Sequence, residues 1–261
     1  MLTFVPSRAV VKSKIENQES RIKNPFPMHL QVLFEDNHLI AVNKPAGLLS
    51  QGDETGDRTV MDWVKAYIKH RYNKPGDVFL GSIHRLDRPV SGVIIFARTS
   101  KALKRMTELF RDRKVTKTYW AITTEQPDPI EGSLKGYIYK DTSKNRSKIV
   151  PKADSNRHKG AKMAKLDYRL LGRVGTNILL EVKPETGRPH QIRVQLADQL
   201  KTPIHGDLKY GSRLRNQDGN INLHARKLEF QHPVTKEAVK IEAPIPEIDQ
   251  LWQLFAEMTE W

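Results

Sequence analysis

The stretch Gly81-Ser82-Ile83-His84-Arg85-Leu86-Asp87-Arg88-Pro89-Val90-Ser91-Gly92 runs without a break into Val93-Ile94-Ile95-Phe96-Ala97. A charge-dense segment punctuated by Pro89 and Gly92 reads as a loop. The five apolar residues after it are too few for a helix and too uniformly apolar for a half-solvated strand, so they read as a buried strand. The loop carries a single carboxylate, Asp87, between Arg85 and Arg88. A guanidinium within reach favours the ionised carboxylate, which leaves Asp87 available as a nucleophile or charge stabiliser. An Asp so flanked also suits a turn held by ion pairs.

Working outward, Leu30, Val32 and Phe34 alternate, Glu35-Asp36-Asn37 supplies a turn and residues 39–42 a second short strand, which together read as a hairpin. It empties into Asn43-Lys44-Pro45-Ala46-Gly47, where Lys44 is placed either to contact phosphate or simply to be solvated. Val60, Trp63, Val64, Tyr67 and Ile68 recur at helical spacing after Thr59, a candidate N-cap. A second helix, with Ser100 as its expected cap, shows Leu103, Met106, Leu109 and Phe110 on one face, and a strand over residues 116–123 follows. In that strand Tyr119 and Trp120 must point to opposite faces, one to the core and one free to offer a ring to a base. Strands are further expected from the alternation of Leu166, Tyr168 and Leu170, over residues 178–182, and in a closing hairpin around Leu228, Phe230, Val239 and Ile241. Pro189 is placed to open a helix with Ile192, Leu196 and Leu200 inward, and Pro246 to open a C-terminal helix with Ile248, Leu251, Trp252, Phe255 and Met258 inward. Strands outnumber helices and neighbours pair as hairpins, which predicts an α+β fold around a mixed, largely antiparallel central sheet flanked by helices and loops. Residues 1–29, broken by Pro6, Pro25 and Pro27, read as a flexible N-terminal extension, and residues 30–261 as one catalytic domain.

The composition narrows the function. The chain has 261 residues, 38% hydrophobic and 28% charged, enough to bury a core without disulfides or metal. Forty-four Lys and Arg against thirty Asp and Glu leave a net charge of +14, which favours a polyanionic partner, nucleic acid or an anionic membrane surface. The absence of Cys excludes disulfides, thiolate nucleophiles, Cys-bound zinc and iron-sulfur clusters. No apolar run approaches the roughly 18 residues of a spanning helix and residues 1–29 lack a signal-peptide pattern, so a cytoplasmic, membrane-free protein is expected. Zinc-hydrolase, phosphate-loop, dinucleotide and serine-elbow motifs are all missing.

Two further segments carry candidate chemistry. Glu185-Thr186-Gly187-Arg188-Pro189-His190-Gln191-Ile192-Arg193 gathers cationic and hydrogen-bond-donating groups at a strand-to-helix junction, with His190 and Arg193 three apart on one face where both could meet a phosphate or a carboxylate; capping and surface pairing are the alternative. Residues 140–165 hold nine Lys or Arg against two Asp, half the excess charge of the chain. They form either a solvated loop or a flexible basic insertion laid on a phosphate backbone, with Lys144, Arg146, Lys148 and Lys152 as contacts. Asp207, in Gly206-Asp207-Leu208-Lys209-Tyr210-Gly211, reads as a turn residue.

Taken in order, Lys44-Pro45-Ala46-Gly47, His84-Arg85-Leu86-Asp87-Arg88-Pro89-Val90-Ser91-Gly92 and Gly187-Arg188-Pro189-His190-Gln191-Ile192-Arg193 resemble the motifs of the RluA family of pseudouridine synthases, over about residues 30–245. The resemblance implies the pseudouridine synthase fold and an isomerase that breaks the N1 glycosidic bond of an RNA uridine, rotates the base and rejoins it through C5. It implies Asp87 as the catalytic aspartate, Tyr119 as the tyrosine against the uracil, Arg193 as the partner of the aspartate and Arg85 as the residue that meets RNA where the target nucleotide leaves its stack. Arg88, Arg188, His190 and Lys44 are further candidate RNA contacts. The family implies no metal, no organic cofactor and a monomer, with ribosomal or transfer RNA as partner. Many relatives carry an S4-type RNA-binding module, for which the 29 leading residues are too few, so affinity is expected from the catalytic domain, its arm and the basic insertion. A non-catalytic RNA-binding protein of the same fold would not need Asp87, Tyr119 and Arg193 together, and a glycoside hydrolase would need a second acid that no motif supplies.

Overall fold

The apolar run at residues 93–97 is uniform because its strand is covered on both sides. The computed structural model describes residues 31–52, 56–158, 160–247 and 249–256; the expected N-terminal extension, Leu30, Ile248 and Met258 lie outside them. In chain order the elements are β1 (Val32–Glu35), β2 (Leu39–Lys44), α1 (Val60–Arg71), β3 (Gly81–Ser82), β4 (Ser91–Ala97), α2 (Ser100–Arg111), β5 (Val115–Thr123), β6 (Glu131–Asp141), β7 (Arg146–Val150), β8 (Lys162–Val174), β9 (Asn177–Pro184), α3 (Gln191–Gln199), β10 (Leu223–Gln231), β11 (Ala238–Glu242) and α4 (Gln250–Gln253). The strands form one sheet in the order β1-β2-β4-β10-β5-β9-β8-β6-β7, with β11 on β10 and β3 on β4. Every pairing is antiparallel except β10 with β4, which gives the mixed, mostly antiparallel sheet of an α+β fold.

Alternation along the central strands feeds two cores. Ile40, Val42, Ile94 and Phe96 enter a core that also holds Val60, Val64 and Ile68 of α1 and Ile192 and Leu196 of α3. Leu39, Ala41, Val93, Ile95 and Ala97 enter a second core with Ala102 and Met106 of α2. Each fully buried Ile, Leu or Phe contributes about 1.5–3 kcal/mol, so the two-sided burial of β4 makes it the most strongly anchored strand near Asp87. Trp120 faces a third cluster with Trp252 and Phe255, while Tyr119 faces the first core, as the alternation requires.

Several local details depart from expectation. Thr59 caps α1 in a reciprocal box with Asp62, but α2 is capped by Thr99, whose hydroxyl accepts from the Ala102 N–H at 3.1 Å, and Ser100 is its first helical residue. The basic segment 140–165 is partly ladder: β6 pairs with β7 from Tyr137↔Val150 to Asp141↔Arg146, and β8 begins at Lys162. Alternation puts Ser147 on a buried face of β7 between Arg146 and Lys148 on the other, and Ala164 and Leu166 on a buried face of β8 with Lys165 between them on the other. Helix α3 starts at Gln191 and not at Pro189, because His190 adopts the left-handed conformation (φ 52°, ψ 24°) and Pro189 stays outside the helix, its carbonyl accepting from the Ser147 hydroxyl. The C-terminal helix is shorter than expected and begins after Asp249, whose carboxylate caps the Leu251 N–H, leaving Pro246 in the preceding loop.

Candidate active site

The loop between β3 and β4 is pinned from several sides. The Ser50 hydroxyl donates to the Leu86 carbonyl (2.7 Å) and accepts from the Leu86 N–H (3.0 Å), the Gly47 N–H donates to the Arg88 carbonyl (2.8 Å), and the Ile221 N–H to that of Pro89 (3.4 Å). Lys44, expected to meet phosphate or solvent, is fully buried, and its ammonium donates to the carbonyls of Pro45 (2.9 Å) and Arg88 (3.1 Å). Burial pulls its pKa down to about 7, an effect Asp87 opposes and Arg88 reinforces. Its place is under the loop as a tether and not on the cleft surface. Gly92 ends the loop at φ 111° where β10 crosses: a Cβ there would lie 2.3 Å from the Ala225 carbonyl oxygen, so no other residue admits the parallel pairing of β4 with β10 at this point.

Asp87 therefore projects from a rigid mount into a cleft of about 1900 Å³. Arg193, from α3, donates through Nη1 to Asp87 Oδ2 at 3.2 Å. Its other edge is bidentate to Asp207, Nε to Oδ2 at 2.7 Å and Nη2 to Oδ1 at 2.8 Å. Arg193 and Asp207 are 6% and 1% exposed and Asp87 about a third, so the inner pair is buried and the outer carboxylate reaches the cleft. Burial opposes the Arg193 charge, but the hydrogen bonds and charges of Asp207 and then Asp87 more than offset it, holding the guanidinium protonated. Asp207 was expected as a plain turn residue and is instead the carboxylate that fixes Arg193; its Gly206-Asp207 setting hid this, because turn chemistry and burial cannot be separated without the fold. Gly206 itself sits at φ 84°, where a Cβ would meet the Asn220 carbonyl oxygen at 2.5 Å.

Tyr119, on β5, lines the same cleft. Burial first and the Asp87 charge second push its hydroxyl above the usual range, so it remains a neutral donor; among the described residues that hydroxyl has no hydrogen-bond partner. His84 lines the cleft with its ring already engaged: Nε2 accepts from the Ile95 N–H at 3.3 Å and the ring stacks on Phe110, while burial lowers its pKa to about 4. Arg85 is exposed at the rim. Arg88 pairs with Asp57 at 3.1 Å and donates to the Gly47 carbonyl, and Arg188 donates to that of Met163. His190 lines the cleft beside Lys140, Lys209 and Tyr210's turn. Lys144, Arg146, Lys148 and Lys152 are exposed along the β6–β7 hairpin and the turn after it, outside the cleft; Arg146 stacks over the Tyr210 ring at 5.2 Å and Lys148 lies on the strand face opposite Ser147. Among the described residues no cluster of His, Asp or Glu is arranged to hold a metal ion, and no helix is long and apolar enough to cross a membrane.

Residues 38–198 match the RNA pseudouridylate synthase family. The chain is 33% identical to the tRNA pseudouridine synthase C of Vibrio parahaemolyticus, over 90% of this chain and 97% of that one. It is 34% identical to the ribosomal large subunit pseudouridine synthase D of Xanthomonas campestris, over 85% of this chain and 68% of that one. The solved structure of human RNA pseudouridylate synthase domain containing 4 superposes with a TM-score of 0.71 at 27% identity, covering 87% of this chain and 93% of the human one. With the sheet, the motif order and these relatives in agreement, the chain belongs to the RluA-type RNA pseudouridylate synthases, intramolecular isomerases that turn uridine into pseudouridine.

Proposed function

We propose that this synthase takes a uridine of a structured RNA, ribosomal or transfer, out of its stack and into the cleft, and that Asp87 is the nucleophile. The carrying observation is the Asp87 carboxylate on its pinned loop, with Oδ2 held by Arg193 and the cleft open in front of it. A base must leave the helix before its glycosidic bond can be reached; that costs a few kcal/mol, which stacking on an aromatic face offsets by about 1–3 kcal/mol. Tyr119 offers that face. In the isomerisation the N1–C1′ bond breaks, the base turns, a C5–C1′ bond forms and the proton at C5 is lost while N1 gains one, so no redox partner or cofactor is required. Arg193 holds the Asp87 carboxylate in place through Oδ2 as substrate excludes water. Arg85, Arg88, Arg188 and His190 around the cleft and Lys144, Arg146, Lys148 and Lys152 on the hairpin supply cations for the backbone of an RNA bound by a monomer in the cytoplasm. The relatives named for transfer RNA and for ribosomal RNA are equally similar, which is why both substrate classes stand.

The test is a pseudouridine map of total RNA with and without this gene, repeated with Asp87→Asn. A site that disappears in both strains, with RNA binding by the purified variant intact, supports the proposal. A single-turnover rate for Asp87→Asn within about tenfold of wild type overturns the nucleophile assignment.

A further inference from the structure

The β6–β7 hairpin does more than carry charge. Lys140 pairs with Ser147, whose hydroxyl reaches the Pro189 carbonyl, so alternation turns Lys140 toward the start of α3 and the cleft, whereas Lys148, opposite Tyr139, is turned away. The Lys140 ammonium donates to His190 Nε2 at 3.2 Å and to Asn145 Oδ1. Lys209 donates to the Asn145 carbonyl at 3.2 Å, which brings a second ammonium alongside. Arg85, from the loop that carries Asp87, adds a third positive charge to the Lys140 environment. Among the described residues none of Lys140, Lys209 and Arg85 has a carboxylate within ion-pair distance, and the nearby Arg193 is already engaged by Asp207 and Asp87. Asp87 is the carboxylate that acts on Lys140 across the cleft, and Arg193 already binds it; three cations on one wall, none in an ion pair of its own, form a site for an anion.

His190 explains how Lys140 is held. An ammonium has no acceptor, so the Nε2 facing it must carry the lone pair. The ring proton is then on Nδ1, donating to the Tyr210 oxygen at 2.8 Å, while that oxygen also accepts from the Ser147 N–H. Burial, reinforced by the surrounding cations against the pull of Asp87, keeps the ring neutral. The left-handed backbone at His190 aims the ring this way at a cost of about 1–2 kcal/mol for a residue with a side chain.

Uracil is neutral, and the anionic groups of RNA are its phosphodiesters. We propose that Lys140, with Lys209 and Arg85 beside it, binds one of the two phosphodiesters flanking the nucleotide delivered to Asp87, and that His190 is the positioning residue that sets the direction of the Lys140 ammonium. This rests on the reading of Asp87 as the centre of an RNA-modifying site. The third N–H of Lys140, left over by His190 and Asn145, is the one available to the phosphate.

The test uses a short stem-loop containing the uridine found by the map, with a single uncharged methylphosphonate at its 5′ or its 3′ linkage. With wild-type enzyme, one of the two substitutions should weaken binding about tenfold, the size of one charge-assisted hydrogen bond. In Lys140→Gln the same substitution should cost nothing further, in Lys140→Arg the penalty should persist, and His190→Asn, which tolerates the left-handed backbone, should lose most of it while melting normally. Equal penalties in wild type and Lys140→Gln at both linkages overturn the proposal, as does full coupling in His190→Asn for the positioning role. An empty map would instead defeat the functional reading; in that case inorganic phosphate titrated into labelled protein takes over, and the absence of a saturable shift of the Lys140 Nζ signal overturns the site. A melting transition measured on every variant separates a lost phosphate contact from a lost fold.

Discussion

Replacing Asp207 by Asn should damage this enzyme more through Arg193 than through Asp207 itself. The Arg193 guanidinium is 6% exposed and donates two of its three hydrogen bonds to the Asp207 carboxylate, at 2.7 and 2.8 Å, against one of 3.2 Å to that of Asp87. An Asn at 207 keeps one acceptor but sets an NH2 group against an N–H of the guanidinium and removes the charge that balances it. Breaking a buried pair by removing one partner costs about 3–5 kcal/mol, and both members here are buried, so little solvent screening reduces that figure. For a domain of this size about 1 kcal/mol moves the midpoint by roughly 2–4 °C, so the melting temperature should fall by roughly 6–20 °C. Below that midpoint a second effect should appear. Released from Asp207, Arg193 turns its full fork on Asp87 and draws its carboxylate away from the cleft, so the single-turnover rate at saturating RNA should fall at least about tenfold with RNA affinity largely kept. Melting by circular dichroism and tritium release from RNA labelled at uridine C5 measure the two effects separately. A variant that melts within about 2 °C of wild type would refute the buried-pair argument, and a stable fold with an unchanged rate would refute the idea that Asp207 sets the availability of Asp87.

Further outcomes are expected. Tyr119→Phe should keep RNA binding and Tyr119→Ala should weaken the complex with the extruded base by roughly tenfold or more, in line with the loss of a stacking face; equal binding by the two variants would contradict stacking. Lys144, Lys148 and Lys152 changed together to Ala should flatten the slope of log affinity against log salt by up to about 2–3 units and leave the saturated single-turnover rate nearly unchanged; an unchanged slope would show these exposed side chains to be merely solvated. His224 is fully buried, its Nδ1 accepting from the Ser91 hydroxyl at 2.8 Å and its Nε2–H directed at the Ala243 carbonyl, and burial lowers its pKa to about 4. Below the ordinary imidazole pKa the unfolded chain binds a proton that the folded one refuses, so stability is lost as pH falls from about 6.5 toward 4. His224→Gln should make that acid limb shallower by up to about 1.4 kcal/mol per pH unit in urea melts at stepped pH, and an unaltered limb would exclude the assignment.

What the sequence discloses about this molecule follows from what each signal depends on. Two-sided burial of β4, the amphipathic α1 and the opposed faces of Tyr119 and Trp120 all rest on local periodicity, and local periodicity survives folding. The basic segment 140–165 hid its strands because charge masked the alternation; Ser147 and Ala164 are weak apolar markers, and only the ladders of β6 with β7 and with β8 make them inward positions. Lys44 misled for the opposite reason. Its neighbours in sequence are turn residues, and the two carbonyls that receive its protons belong to Pro45 and to Arg88, 44 positions away, so a residue that looks solvent-bound is buried. Asp207 and Lys140 acquire meaning only through Arg193 in α3 and His190 just before it, and spacing along the chain says nothing about a contact that tertiary structure alone creates.

The Asp87 backbone is held in place by the sheet and its carboxylate by a group outside the sheet. Its loop leaves β4 at Gly92, where the one parallel pairing, to β10, requires the backbones to approach too closely for any Cβ. Lys44, Gly47 and Ser50 fasten the same loop from the segment that follows β2, and Ile221 fastens it from the segment that leads into β10. None of these contacts touches the Asp87 carboxylate. That carboxylate is held instead by Arg193, which is anchored to the separate turn at Asp207. The backbone and the carboxylate of Asp87 are thus held by different segments, so the loop stays pinned whatever the carboxylate binds. For the nucleophilic role we propose for Asp87, a carboxylate held in this way does not have to reorganise when charge shifts during the reaction.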